Sequence, residues 1–185
     1  MIERAEQRRR QTWRLIGWGA AAALLVLPFV AMQLGNEVEW TLIDFVVFGA
    51  MLAIAGGAVE FAVRTSRSGG YRAGAAVAVA AAFMLVWVNL AVGFLGDEGN
   101  PANLMFLGVI AVAIAGAALS RGSAQGMATA MLAAAAAQLL AGVVGLTGGY
   151  ASPGPAGVYE VVMGTSLFGA LWLLAAWLFR RAART

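Results

Sequence analysis

The chain has no Cys and no His. All 12 of its basic residues are Arg, with no Lys among them. These absences exclude disulfides, thiolate nucleophiles, iron–sulfur clusters, axial His on haem, and the usual zinc and copper sites. They also exclude a Schiff-base Lys and the phosphate-binding Lys of a P-loop. No G-x-S-x-G elbow occurs. Any chemistry rests on carboxylates, amides, hydroxyls, Tyr, Trp or Arg, and no cofactor is expected.

Three carboxylates lie within long apolar runs, where an ionisable group is a functional candidate by default. Glu60 has Arg64 four residues on, so the two can pair near a helix end and reach an interface together. It also lies close to a Gly49/Ala53/Gly56 stripe, which leaves a buried interhelical role open. Asp44 and Glu160 fall in the first turns of their helices, where a carboxylate interacts well with the helix dipole. The alternative for both is ligand binding, because other polar groups share their depth. Asn89 lies beside Trp87, Asn103 opens a helix, Gln33 closes one, and Tyr159 precedes Glu160. Gln138 is the deepest polar group and fits either an amide bond across a helix pair or a cavity lining. The candidate ligand-binding set is therefore Asp44, Asn89, Asn103, Gln138, Tyr159 and Glu160, converging on one outward-facing polar pocket. Thr165 and Ser166 are expected to bond their own preceding carbonyls.

The segment Gly96-Asp97-Glu98-Gly99-Asn100-Pro101-Ala102-Asn103 is the most distinctive. Asn100 followed by Pro101 reads as an N-cap with Pro at the first helical position. Asp97 and Glu98 offer hard oxygen ligands, although the spacing is not that of an EF-hand. They are the only metal candidates. The run from Val88-Asn89-Leu90-Ala91-Val92-Gly93 into Asn100-Pro101-Ala102-Asn103-Leu104-Met105-Phe106 resembles a stretch in small multi-span bacterial inner-membrane proteins of no assigned function. The resemblance implies a membrane fold and brings no activity.

The elements that must position these residues follow from composition. Hydrophobic residues make up 62% of the 185 and charged residues 11%, against about 45–50% and roughly 25% in soluble domains. A soluble or disordered chain is excluded. A bilayer core about 30 Å thick needs about 20 apolar residues in a helix. Six runs meet or approach this, over 13–34, 40–63, 71–95, 101–120, 126–147 and 158–179, between an Arg-rich tail (1–12) and a short tail (181–185). The fold expected is an all-α integral membrane protein, a six-transmembrane-helix bundle spanning 13–180.

With the N-terminus in the cytoplasm, every Arg falls on the cytoplasmic side: Arg4, Arg8, Arg9, Arg10 and Arg14, then Arg64, Arg67 and Arg72, then Arg121, then Arg180, Arg181 and Arg184. The opposite breaks carry Glu37, Glu39, Asp97 and Glu98. This is the positive-inside pattern, with both termini cytoplasmic in a bacterial inner (plasma) membrane. The first run is long enough to be an uncleaved anchor rather than a signal peptide. Arg residues split over four segments, without interleaved aromatics, point to anionic lipid heads as partners and not to nucleic acid. Trp13, Trp18, Trp40 and Tyr71 fall near the interfaces as aromatic anchors.

Two further patterns concern assembly. Ala53-Ile54-Ala55-Gly56-Gly57-Ala58-Val59 is echoed sixty residues later by Ala113-Ile114-Ala115-Gly116-Ala117-Ala118-Leu119. Phe48-Gly49-Ala50 is echoed by Phe168-Gly169-Ala170. Three repeated hairpins about an axis along the membrane normal would produce such echoes, and Ala-rich segments also match by chance. Small residues at steps of four mark helix contacts: Gly49, Ala53 and Gly57; Gly116 and Ser120; Ala130, Ala134, Gln138 and Gly142. The fifth helix, poor in bulky residues, is expected inside the bundle. The sixth, rich in Leu, Trp and Phe, is expected to face lipid.

The function expected is non-enzymatic binding or passage of a cation, proton or small solute through the outward-facing polar pocket. An accessory subunit of a larger membrane complex, or a homo-oligomer, is the alternative reading. A membrane-embedded enzyme using a carboxylate pair is the third, without a motif to support it.

Overall fold

The computed structural model describes residues 2–35 and 39–184, with the side chains of Thr12 and of residues 14 onward. Glu37 and the side chains of Arg4, Arg8, Arg9, Arg10 and Trp13 lie outside the described set. Every regular element among the described residues is helical: α1 (Ile2–Leu34), α2 (Leu42–Thr65), α3 (Gly69–Ala91), α4 (Leu104–Leu119), α5 (Ala124–Thr147) and α6 (Pro155–Ala182), with one 3-10 turn at Pro101–Asn103 before α4. Among the described residues, six helices are long and apolar enough to cross a membrane.

The chain divides within α2 into two compact units, Met1–Ala58 and Val59–Thr185. In the first, α1 meets α2 through small residues. A methyl group on Gly56 would lie 3.2 Å from the Trp18 ring, and one on Gly49 would lie 3.8 Å from Leu25. Trp40 packs edge-on to Phe45 and Phe48, with centroids 5.2 and 5.4 Å away. The start of α2 is a capping box. Thr41 donates its backbone N–H and its hydroxyl to Asp44 Oδ2, at 2.7 and 2.8 Å, and Asp44 N–H returns a bond to Thr41 Oγ1.

In the second unit α3 packs on α6, α6 on α5, and α5 on α4, while α3 touches α4 lightly. Close backbone approach makes these contacts. Gly116 lies against Ala130, where a methyl would come within 2.6 Å, and Gly74 lies against the Phe179 ring. The core is filled by Leu85, Leu95, Phe106, Val109, Trp172 and Phe179, all essentially fully buried. The small residues of α5 face α4 and α6, with Ala128, Ala134 and Gln138 sealed from the exterior, while its Leu139, Leu140 and Val143 stay exposed.

The expectation for α6 is corrected. It packs against both α3 and α5, and it buries Phe168, Trp172 and Phe179 while Leu173, Leu174 and Trp177 stay exposed. The bulky residues were read as one lipid-facing set. At 100° per residue they divide into two faces, and the inner face gains room because Gly74 on α3 and Gly142 on α5 lie opposite it.

The turns of this unit sort by charge. Gly122 approaches Thr65, and Gly70 approaches Ala182, so the Arg64–Arg72 turn, the Arg121 turn and the end of α6 meet at one end. Arg72 closes the first turn by donating from Nε to Ser66 O (2.9 Å), just past α2, and from Nη2 to Val63 O (3.1 Å), a carbonyl that the last turn of α2 leaves unpaired. At the other end Asn100 Nδ2 donates to Tyr150 O at 3.1 Å and ties the acidic Gly96–Asn100 loop to the loop after α5.

Candidate functional site

The polar residues singled out from the sequence fall into three environments: capping or loop bracing, exposed surface, and sealed core. Asn103 belongs to the first. The chain leaves α3 at Ala91 and turns at Gly93, whose φ of 75° suits Gly. The following backbone has no helix to satisfy it. Asn103 supplies the missing partners: Oδ1 accepts from Phe94 N–H (2.9 Å) and Leu95 N–H (2.7 Å), and Nδ2 donates to Asp97 O (2.7 Å) and Leu95 O (3.4 Å). Its amide is engaged at both ends with backbone. Asn100 caps the 3-10 turn, its Oδ1 accepting from Ala102 N–H at 3.0 Å, as its place before Pro101 suggested.

Asp44, in the unit Met1–Ala58, is exposed and engaged in the α2 capping box. Glu160 and Tyr159 are exposed on α6, Tyr159 at 65%. Glu60 accepts from Arg64 Nη2, the i,i+4 pair anticipated from the sequence. Asp97 and Glu98 are exposed in the loop. Among the described residues no three acidic side chains gather where they would hold a metal ion.

Asn89 and Gln138 differ from all of these. Asn89 is 8% exposed; its Nδ2 donates to Leu85 O at 2.7 Å, and its Oδ1 has no protein partner. Gln138 is wholly buried, and neither Oε1 nor Nε2 has a partner. Two α6 groups share this condition, Thr165 Oγ1 and Trp172 Nε1. Thr165 therefore departs from the expected bond to its own helix. The reason is contact with α5: a methyl on Gly142 would collide with its side chain.

A buried polar atom left unpaired costs about 1–3 kcal/mol. Four residues carrying such atoms in one unit are costly, and the cost is higher where no water reaches the backbone. Between them these residues offer neutral donors (Nε2, the indole N–H, a hydroxyl) and neutral acceptors (Oε1, Oδ1, a hydroxyl). Among the described residues no charged side chain is buried. Trp172 and Thr165 were not sequence candidates. Their signal was the register of α6 against Gly142, visible only once the helix partners are known.

No family model matches the chain, and neither the curated proteins nor the solved structures contain a match to it.

Proposed function

We propose that the chain is a non-enzymatic, multi-pass protein of the bacterial inner membrane, with both termini cytoplasmic, that binds or passes a cation, proton or small solute through polar groups inside its helix bundle. The observation that carries this reading is Gln138, a primary amide sealed in α5 with both ends unmatched by protein. An amide so placed is costly unless it serves something other than packing. Asn89, with its free acceptor, stands with it. The Arg-bearing turns meeting at one end of Val59–Thr185 support the orientation, since that face suits the cytoplasm and its anionic lipids.

The test is flux into vesicles reconstituted with the full chain, using potassium ions, protons and urea as probes, for the natural protein and for Gln138→Leu. At least one probe should enter faster than into protein-free vesicles, and the substitution should lower that rate. Entry of all three at the protein-free rate, with none retained, would remove the reading.

A second reading, an accessory subunit of a larger membrane complex, is favoured by the first unit. Leu15, Ile16, Leu27, Ile43, Val46 and Ile54 of α1 and α2 all stand exposed. Purification in mild detergent should then yield a stoichiometric partner or a second copy, and repeated isolation of a lone chain would count against it.

A further inference from the structure

Helix register places the four unmatched polar side chains at neighbouring levels of the core. Gly70 of α3 faces Ala182 of α6 and Gly74 faces Phe179, so the helices run antiparallel. Asn89 lies fifteen residues after Gly74, about 22 Å at 1.5 Å per residue, and the same distance back from Phe179 reaches Gly164. Asn89 therefore lies near the level of Thr165, where the Phe94 ring also packs against Gly164. On the other side Gly142 of α5 faces Thr165. Gln138 lies one turn before Gly142, which on an antiparallel pair moves from Thr165 toward Trp172. Thr165 and Trp172 are two turns apart, about 10 Å, with Gln138 between them. All four have a polar atom sealed from the exterior and unmatched by protein.

We propose that Asn89, Gln138, Thr165 and Trp172 form one internal polar seam that holds a small neutral molecule with both donor and acceptor character, of the size of water. The inference deepens the reading above by naming the ligand class of the same site. Charge decides the class. The seam contains no carboxylate and no Arg, so an ion there would lack a counter-charge in a low-dielectric core. The amides and the indole do not titrate in the ordinary range, and the indole N–H only donates. The unmatched atoms include both donors and acceptors, as a molecule that does both requires. The close approach of α5 and α6 at Gly142 excludes anything bulky there.

The experiment is radiolytic footprinting of the full chain in detergent, with water as the probe, since ordered water beside a buried side chain is the source of the radical that oxidises it. The natural protein is compared with Thr165→Val and Gln138→Leu. Trp172, wholly buried, should be oxidised well above Phe106, which is equally buried in apolar surroundings. Each substitution should lower Trp172 oxidation about tenfold, the equivalent of ~1.4 kcal/mol in site affinity. Thr165→Val preserves side-chain shape and guards against misfolding of Gln138→Leu. Oxidation of Trp172 no higher than that of Phe106 overturns the seam, as does equal oxidation in all three proteins. Ion flux through a chain whose Trp172 stays unoxidised overturns the neutral class and leaves the broader reading standing. Oxidation as expected, without flux or retention of any probe, supports the seam while removing the broader reading.

Discussion

Asn103 and Gln138 carry the same amide and have opposite surroundings. Asn103 meets four backbone partners that a chain leaving α3 through Gly93 would otherwise leave bare. Gln138 meets none. The first is therefore a brace, and its loss has a definite consequence. Asn103→Ala strands the N–H groups of Phe94 and Leu95, both buried, and should destabilise the protein by at least about 2 kcal/mol. Thermal unfolding in detergent would show this as a lowered midpoint, and an unchanged midpoint would mean that water reaches the loop. Both residue types were legible in the sequence as polar groups in apolar runs. Their surroundings were not, because an amide's partners here lie up to nine residues away in a loop or on a different helix.

At the scale of elements, small residues do different work according to the face they occupy. On α4, Gly116 lies against Ala130, whereas Gly108 has nothing within 4 Å of where a methyl would stand. Gly116→Ala should force α4 and α5 apart and cost about 1–3 kcal/mol. Gly108→Ala on the same helix should cost nothing and add up to about 1 kcal/mol of helix stability. Equal effects in denaturant or thermal unfolding would contradict the α4–α5 contact. The spacing of Gly116 and Ala130 made such a contact legible. The role of α6 was not, because a count of its bulky residues does not say that Trp172 and Phe179 turn inward while Leu173 and Trp177 turn outward. Asp44 shows the opposite case at a helix start. Thr41-Leu42-Ile43-Asp44 holds the spacing of a capping box, and the observed bonds follow it.

Within Val59–Thr185 the Arg-bearing turns lie at one end and the acidic Gly96–Asn100 loop at the other. The chain has no Cys, so each engineered thiol would be the sole one. Ser123→Cys and Ala183→Cys lie at the Arg-bearing end, and Gly99→Cys and Pro153→Cys at the other. In right-side-out vesicles an impermeant maleimide should label the second pair without detergent and the first pair only after permeabilisation. Labelling of Gly99→Cys and Ser123→Cys from the same side would overturn the orientation.

The sequence alone determined that the chain is helical, that six helices are long and apolar enough to cross a membrane, and where the Arg residues cluster between them. These properties depend on local composition and on spacing within one element, because a bilayer core selects for apolar length and an unpaired backbone tolerates little besides helix. Only the tertiary structure decided that α6 lies between α3 and α5, that Asn103 faces backbone, and that Asn89, Gln138, Thr165 and Trp172 carry buried polar atoms without a protein partner. Those outcomes depend on which helix stands opposite which and in what register. That is settled by close packing between residues far apart in the chain, a contact no single segment encodes.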